Sequence, residues 1–239
     1  PVERLGAIGS REVVQPALEL GLVDIVPEYA GTMLSFVSLG ENEPTFDSDA
    51  TVHELRAELG PRGMIVLDAA NAQNKNVVIV TRALAAEHDL REMSDLEAIA
   101  GTLTFGGPVE CPERRFCLVG MRDVYGLEFD DFVPLPSSAV VADGLLMGEI
   151  DVGLVFTTDA AMVDSNLTGL LDDRNMQPAE NVVPVVRWDV YMRYAPDLGA
   201  VLNEVSSRLD TSDLALLNLQ STDPRADLGE LARLWLASP

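Results

Sequence analysis

Two stretches of the chain repeat one pattern, in which an apolar helix is followed by a glycine, two further residues, an aspartate and a β-rich strand. The first stretch, residues 17–32, reads ALELGLVDIVPEYAGT, and the second, residues 143–156, reads DGLLMGEIDVGLVF. Gly21 and Gly148 occupy matching places, and glycine closes a helix in the left-handed conformation at no steric cost. Any helix-to-strand turn can use Gly and Asp. The repetition nevertheless predicts two α/β units, which we interpret as two lobes facing one cleft.

Each unit places polar side chains just beyond its strand. Pro27 has no N–H to donate to a sheet ladder, so the first strand, residues 24–26, is predicted to stop there. Tyr29 and Thr32 then follow a strand's carboxyl end, which is where open α/β sheets bind ligands. Three polar residues follow the second strand in the same way: Thr157, Thr158 and Asp159.

Helices and strands alternate along the sequence, which predicts an α/β fold with largely parallel sheets. Two continuous β-branched runs, residues 77–80 and 182–186, are typical of strands covered on both faces. They bracket a self-contained α/β block. We therefore expect two lobes joined by two crossing strands, the geometry of a hinge that closes on a solute. The predicted division assigns residues 1–80 and 181–239 to one lobe and residues 81–180 to the other.

Length and composition exclude several classes of protein. The 239 residues are 47% apolar, which is enough for a sizeable core, and no apolar run approaches the roughly 20 residues of a membrane span. The formal net charge of −23 argues against a nucleic-acid partner, because phosphates need a basic surface. Solubility alone accounts for such acidity.

Cys111 and Cys117 are the only cysteines, spaced C-x5-C within the segment PVECPERRFC. His53 and His88 lie far from them in helical contexts, so the pair does not predict a zinc site, and no other metal or cofactor is predicted. The close spacing favours a local disulfide and hence an oxidising compartment. Two free buried thiols are the alternative.

Several segments carry a resemblance to a known family: VDIVPEYAGT, REMSDLEAIAG, VYGLEF, GEIDVGLVFTTDA, LLDDRN, NVVPVVR and LNEVSSRLDTSDLALLN. Nearly the whole chain resembles the solute-binding proteins of bacterial ABC importers for glycine betaine, carnitine and choline. The resemblance implies a two-lobed type II periplasmic-binding fold, export to the periplasmic side of the cell envelope, and delivery of a small solute to a membrane permease. It further implies a monomer that is anchored as a lipoprotein in its full-length form and needs no cofactor.

The chain departs from that family in two ways. Family members usually begin with a further strand and helix, so we expect the opening β-α unit of the first lobe to be missing from this chain. Members that bind quaternary ammonium enclose it in an aromatic cage, because ring faces attract a cation that cannot hydrogen-bond. Tyr29 matches one cage position, and the others hold Asn76, residues 156–157 and residues 178–181. Only Phe156 among these others is aromatic, which predicts weak or absent binding of glycine betaine and choline.

The predicted ligand-binding residues combine a ring with neutral and charged hydrogen-bonding groups: Tyr29, Thr32, Asn74, Asn76, Glu110, Thr157, Thr158, Asp159 and Asn181. Their hydroxyl and amide groups suit a hydroxylated or aromatic solute. Structural roles are the alternatives. Tyr29 can pack at a strand end, Asp159 can cap the helix that follows it, and turn chemistry would explain the asparagines. Glu110 can line the cleft or form a solvated pair with Arg114.

Two other classes of function compete with solute capture for transport. An enzyme would need a nucleophile with a base, or a metal cluster. The sequence has two histidines in helical settings and no phosphate-cradling glycine loop, so we do not expect catalysis. A ligand-sensing domain of a signalling partner would have the same fold as a transport protein and would differ only in what it contacts.

Overall fold

The computed structural model describes residues 2–5 and 9–238. Its α-helices are α1 (Arg11–Glu19), α2 (Ala30–Val37), α3 (Ser48–Leu59), α4 (Arg82–His88), α5 (Leu118–Tyr125), α6 (Ser138–Met147), α7 (Trp188–Tyr194), α8 (Asp197–Arg208), α9 (Thr211–Ser221) and α10 (Leu228–Ala237). Its strands are β1 (Ile25–Tyr29), β2 (Met64–Val66), β3 (Asn76–Thr81), β4 (Thr104–Gly107), β5 (Asp131–Pro134), β6 (Val152–Phe156), β7 (Leu167–Gly169) and β8 (Val182–Arg187). Helices and strands alternate from β3 to β6, as in an α/β fold, whereas four helices in succession follow β8. Within the described ranges, no helix is long and apolar enough to cross a membrane.

The chain divides into two compact units, each built from two separate segments. The first unit consists of Pro1–Asn71 and Ala179–Leu209, and the second of Ala72–Pro178 and Asp210–Pro239. The polypeptide consequently passes from one unit to the other three times. Each unit contains its own β-sheet, with three strands in the first and five in the second.

This division differs from the predicted one in residues 72–80 and 210–239, which belong to the second unit, and in residues 179–180, which belong to the first. β3 lies in the second unit because its backbone pairs with β6 and β7. α9 lies there because it packs against the 3-10 helix Ala160–Val163, and because Asn218 Nδ2 donates to Thr158 O at 3.0 Å. The two β-branched runs, expected to cross between lobes, each lie inside a single sheet, β3 in the second unit and β8 in the first.

The first sheet has the strand order β1-β8-β2 and is antiparallel throughout, so the prediction of largely parallel strands is wrong for this unit. β8 is central and buried on both faces. Val183 and Val185 pack in the same cluster as Leu34 of α2, whereas Val186 packs in another with Val190 of α7. Successive residues of a strand point to opposite faces, and this alternation explains why the run is apolar without interruption.

β1 continues through Pro27 to Tyr29, so the prediction that Pro27 ends the strand is wrong. Pro27 lies opposite Pro184 of β8. The N–H of Ala30 donates to Asn181 O at 3.0 Å, and hydrogen-bonded pairs recur at every second residue of an antiparallel ladder. Pro27 therefore falls on a non-hydrogen-bonded pair of an edge strand, where a missing N–H costs nothing.

Pro184 interrupts the other side of β8, and an arginine compensates. The N–H of Leu67 donates to Pro184 O at 3.0 Å, but Pro184 has no N–H to return the bond. Arg56 of α3 donates Nη2 to Leu67 O at 3.1 Å and Nε to Val66 O at 3.0 Å. The guanidinium thus supplies the donor that the proline lacks and ties α3 to the edge of the sheet.

The second sheet has the strand order β5-β4-β6-β3-β7. β5, β4 and β6 are mutually parallel, as predicted, whereas β3 runs antiparallel to both β6 and β7. Val78 and Val80 pack in the same buried cluster as Phe105, and Ile79 packs in a second cluster with Val141. This confirms the prediction that the run at residues 77–80 is a strand covered on both faces.

The repeated glycines have the predicted conformation. Gly21 follows α1 with φ +74°, and Gly148 ends α6 with φ +71°. The aspartates three residues later each accept a hydrogen bond from a residue of a neighbouring strand, although one donor is a backbone N–H and the other a guanidinium. Asp151 Oδ2 accepts from Thr104 N at 2.8 Å, and Asp24 Oδ1 accepts from Arg187 Nη1 at 3.2 Å. The pattern therefore predicts helix-to-strand junctions correctly.

Cys111 and Cys117 form a disulfide in the second unit, which confirms the preferred interpretation of their spacing. Their Cα atoms lie 5.3 Å apart, and both side chains are buried in the larger core cluster of that unit. The bridge closes the loop between β4 and α5, and part of this loop borders the cavity described below.

We expect the double substitution Cys111→Ala/Cys117→Ala to lower the free energy of unfolding by about 2 kcal/mol, because it removes the loop-closure constraint on the unfolded chain. Urea denaturation with and without dithiothreitol measures the effect. The unsubstituted chain should shift its midpoint when reduced, and the variant should not. Identical midpoints for the oxidised chain, the reduced chain and the variant would contradict the expectation.

Candidate functional site

The predicted ligand-binding residues fall into two groups, one in each unit, which we describe separately. Three lie in the first unit: Tyr29, Thr32 and Asn181. Six lie in the second unit: Asn74, Asn76, Glu110, Thr157, Thr158 and Asp159. In both units most of them lie at or within two residues of the end of a strand.

In the first unit, the junction of β1 with α2 carries Tyr29 and Thr32. The Tyr29 side chain is 36% exposed. Thr32, in the first turn of α2, donates its N–H to Glu180 Oε2 at 3.0 Å and its hydroxyl to Glu180 Oε1 at 2.6 Å. Gly31 makes this approach sterically feasible, because a Cβ there would lie 2.6 Å from Ala179 O. The carboxylate of Glu180 is thereby fixed over the N-terminal turn of α2.

Glu180 was not among the predicted site residues, although it lies in the segment at residues 178–181 where an aromatic cage residue was expected. It is half-buried, and burial raises the pKa of its carboxyl group, against the opposing effects of the Thr32 hydrogen bonds and the Arg11 charge. No described cation forms an ion pair with it. Since its folded-state pKa is the higher one, folding becomes less favourable as the pH rises from the ordinary carboxyl pKa to the raised one.

Arg11, whose charge acts on Glu180, forms its ion pair with Glu28. Arg11 donates Nε at 3.1 Å and Nη2 at 2.7 Å to Glu28 Oε2. The two side chains are only 18% and 9% exposed. Glu28 Oε2 also accepts from Tyr29 N at 3.3 Å. This buried pair joins α1 to β1 immediately before the Tyr29 position.

Asn181 lies next to Glu180 and is 5% exposed. Its backbone carbonyl accepts from Ala30 N at 3.0 Å, and its Nδ2 donates to Ala70 O at 2.8 Å. Its Oδ1 is buried without a hydrogen-bond partner in the described part of the chain. Asn181 therefore fastens the start of β8 to two other segments, once through its backbone carbonyl and once through its side chain. Its side-chain oxygen remains an unused acceptor.

In the second unit, a cavity of about 510 Å³ opens at the carboxyl ends of β4, β5 and β6 and at the N-terminus of α6. It is lined by Asn76, Pro108, Val109, Glu110, Arg114, Pro134, Leu135, Pro136, Ser137, Ser138, Val141, Leu154, Val155 and Phe156. Asn76 and Glu110 were predicted for the site. Phe156 is 46% exposed and is the one aromatic side chain of this lining. Parallel strand ends are the expected place for such a cavity.

Asn76 holds one wall of the cavity through a small amide network. Its Nδ2 donates to Phe116 O at 3.1 Å and to Gln177 Oε1 at 3.3 Å. Gln177 Nε2 donates to the same Phe116 carbonyl at 3.1 Å, and Gln177 is 4% exposed. The position of Asn76 consequently depends on Gln177, a residue that the sequence reasoning missed.

Gln177 is in turn positioned by Asp172. Asp172 Oδ2 accepts from Gln177 N at 2.7 Å, while Oδ1 accepts from Met176 N at 2.9 Å and from the Tyr125 hydroxyl at 2.5 Å. Burial, together with the hydrogen bond to Asp172, raises the pKa of the Tyr125 phenol, so this hydroxyl stays a donor at neutral pH. The Tyr125 oxygen also accepts from Arg174 N at 2.8 Å.

Three predicted residues, Asn74, Thr157 and Thr158, fasten the turn after β6 to the segment before β3. Thr157 Oγ1 donates to Gln73 O at 2.7 Å and accepts from Lys75 N at 3.2 Å. Thr158 Oγ1 donates to Asn74 Oδ1 at 2.7 Å. These contacts support the structural alternative for Asn74 and the threonines.

Asp159 and Glu110 also have identified partners. Asp159 Oδ2 accepts from Phe156 N at 2.7 Å and makes no cap bond to the following 3-10 helix, so the capping role is wrong. Arg114 Nη2 donates to Glu110 Oε1 at 3.0 Å, with both side chains exposed and both lining the cavity. Glu110 therefore lines the cavity and forms a solvated pair. Across the described residues, no group of three or more His, Cys, Asp and Glu side chains could hold a metal ion.

The profile of the family described as "Substrate binding domain of ABC-type glycine betaine transport system" matches residues 2–238. The glycine betaine-binding protein YehZ of Escherichia coli is 26% identical over 96% of this chain and 78% of its own length. The carnitine transport binding protein OpuCC of Listeria monocytogenes is 25% identical over 92% of this chain and 71% of its own.

The fold also matches solved structures. A crystal structure titled as a glycine betaine/carnitine/choline ABC transporter superimposes with a TM-score of 0.86 at 23% identity, covering 95% of this chain and 83% of that one. Apo YehZ superimposes with a TM-score of 0.81 at 25% identity, covering 95% of this chain and 84% of its own. These likenesses confirm the predicted type II periplasmic-binding fold.

Proposed function

Because this chain belongs to the family of substrate-binding domains of ABC-type glycine betaine transport systems, we propose that it captures a small osmoprotectant-like solute for an ABC importer. The observation that carries the proposal is the cavity of about 510 Å³ at the carboxyl ends of β4, β5 and β6, with the exposed ring of Phe156 on its wall. A cavity of this size suits a small molecule. A ring face offers attraction to an ammonium group, and the neighbouring serine hydroxyls offer hydrogen bonds.

The remaining functional assignments belong to the same proposal. The chain acts outside the cytoplasm, delivers its solute to a membrane permease, binds no nucleic acid, works as a monomer and turns nothing over. Anchoring as a lipoprotein is proposed for the full-length form. The relatives' printed names, a glycine betaine-binding protein and a carnitine transport binding protein, support the transport role. Sensing for a signalling partner remains the alternative and predicts binding of the same solute without delivery to a permease.

The ligand need not be glycine betaine itself. The cavity lining in the second unit contains one aromatic ring, and the amide nitrogen of Asn76 is already committed to Phe116 O and Gln177. Each cation–ring contact contributes about 0.5 to 2 kcal/mol, so one ring in place of several weakens binding of a quaternary ammonium by orders of magnitude. We therefore propose weak binding of glycine betaine and choline, and tighter binding of a solute with more hydrogen-bonding groups.

Isothermal titration of the purified chain with glycine betaine, choline and carnitine tests the proposal directly. We expect measurable heats for at least one of them, and the substitution Phe156→Ala should weaken that binding by about tenfold through loss of the ring face. Phe46→Ala is the matched control, because Phe46 is likewise exposed but lies in the first unit, outside the cavity lining. Equal weakening by both substitutions, or none by Phe156→Ala, would contradict the assignment of the cavity.

A further inference from the structure

We propose that Asn76 Oδ1 accepts a hydrogen bond from the bound solute, and that this solute is an ammonium ion that keeps at least one N–H group. The inference rests on the proposed solute-capture function and adds the chemical class of the ligand. It concerns only the cavity of the second unit, whose lining includes Asn76 and Phe156.

The neighbours of the Asn76 side-chain amide allow it only one orientation. Its Nδ2 donates to Phe116 O at 3.1 Å and to Gln177 Oε1 at 3.3 Å. The Phe116 carbonyl can only accept, and Gln177 Nε2 also donates to it, at 3.1 Å. If the Asn76 amide were turned over, its oxygen would face these two acceptors. Nδ2 is therefore directed at this network, and both of its hydrogens are used.

Oδ1 is consequently the polar side-chain atom that Asn76 has left for the cavity. Asn76 is half-buried and lines the cavity, and none of the described residues donates a hydrogen bond to Oδ1. Gln177 is 4% exposed, and its N–H is held by Asp172 Oδ2 at 2.7 Å, so the group that orients Asn76 is itself fixed. An oriented acceptor on a cavity wall complements a donor of the ligand.

An aromatic ring lies beside this acceptor. Asn76 of β3 is directly opposite Phe156 of β6 in the antiparallel ladder, and opposite residues lie on the same face of a sheet. Both residues line the cavity. A ring face attracts a cation, and an amide oxygen can accept a charge-assisted hydrogen bond from an N–H of the same cation. Glu110, the one carboxylate of the described lining, is already paired with Arg114 at 3.0 Å.

A quaternary ammonium uses only half of this arrangement. Its methyl groups can contact the Phe156 ring, but against Asn76 Oδ1 they would exclude water without donating a hydrogen bond. An acceptor that loses water and gains no donor costs free energy. An ammonium ion with one N–H contacts the ring through its methyl groups and donates to Oδ1 through its N–H, so it uses both groups.

Two pairs of probes isolate the N–H group. Choline and N,N-dimethylethanolamine differ by one methyl group replaced by a proton on nitrogen, and so do glycine betaine and N,N-dimethylglycine. Isothermal titration at neutral pH, where both tertiary amines are protonated, gives the affinity ratio within each pair. We expect the N–H member to bind at least about tenfold more tightly in both pairs, the effect of one charge-assisted hydrogen bond.

Two substitutions separate the acceptor from the ring. Asn76→Leu removes Oδ1 and keeps a side chain of similar size, so the preference for the N–H member should fall to within about twofold. Phe156→Leu removes the ring and keeps the acceptor, so both members of each pair should bind more weakly by a similar factor, and the preference should remain. Asn166→Leu, in an exposed turn of the same unit outside the cavity lining, is the matched control and should change neither the affinities nor the preference.

The outcomes separate this inference from the function on which it rests. If the unsubstituted chain binds the quaternary members as tightly as the N–H members, or if Asn76→Leu keeps the full preference, the role of Asn76 is refuted while solute capture stands. If no probe of either pair produces heat, the proposed solute class fails and the inference fails with it. If Asn76→Leu proves unstable, the ratio on the unsubstituted chain and its persistence in Phe156→Leu decide.

Discussion

Replacing Arg11 with methionine is expected to lower the free energy of unfolding of the first unit by about 3 to 5 kcal/mol, the usual cost of leaving one member of a buried ion pair unpaired. Arg11 makes two hydrogen bonds to Glu28 Oε2, at 3.1 Å and 2.7 Å, and the pair is largely shielded from water. Without the guanidinium, the Glu28 carboxylate remains in the same desolvated position with no compensating charge. Urea unfolding followed by circular dichroism measures the loss.

Two variants control for other causes. Arg193→Met removes the same charge from an exposed position of α7 in the same unit and should change stability by no more than about 0.5 kcal/mol. The double variant Arg11→Met/Glu28→Gln removes both charges and keeps an acceptor for Tyr29 N, so most of the lost stability should return. Glu28→Gln alone completes the cycle, and full additivity of Arg11→Met and Glu28→Gln would show that the pair is not coupled.

Replacing Asp172 with alanine is expected to lower the free energy of unfolding of the second unit by about 2 to 4 kcal/mol, because three hydrogen-bond donors lose their acceptor at once. These donors are the Tyr125 hydroxyl and the N–H groups of Met176 and Gln177. All three residues are buried, so water cannot readily replace the carboxylate. Thermal and urea unfolding measure the loss of stability.

The same substitution should also weaken solute binding, although Asp172 does not line the cavity. Gln177 would lose its fixed backbone position, and Asn76 depends on Gln177. Asp172→Asn keeps one carbonyl oxygen as an acceptor and should show a smaller loss in both measurements. Glu149→Ala, at an exposed position of the same unit, should show neither loss. If the Asp172→Ala chain is destabilised but still binds solute at full strength, the cavity wall does not depend on this hydrogen-bond network.

The fold was predictable where the signal is local. The left-handed glycines at residues 21 and 148 follow from chain stereochemistry alone, and the disulfide follows from the spacing of two cysteines. Pro27 was misjudged because its effect depends on which side of the ladder its nitrogen faces. That register is set by β8, which is remote in sequence. Assignment of residues 210–239 to the first lobe failed for the same reason, since α9 packs on the 3-10 helix after β6.

The candidate site was predictable in position more than in detail. Strand ends indicated Tyr29 and Thr32, and the family's cage positions indicated Asn76, which lines the cavity. Glu180 was missed because its contacts with Thr32 join residues far apart in sequence, and no local pattern marks them. Gln177 was missed because its contact with Asn76 joins residues far apart in sequence, and no local pattern marks it.

The central position of β8 has a consequence for the order of folding. β1 and β2 are synthesised early, yet each pairs with β8 and not with the other. A nascent chain that has extended only through β2 therefore holds two unpaired strand edges, and it cannot complete this sheet until Val182–Arg187 has emerged. Such long-range pairing slows folding and leaves strand edges open to wrong partners. A polypeptide of this topology has to be kept from aggregating until most of its length is available.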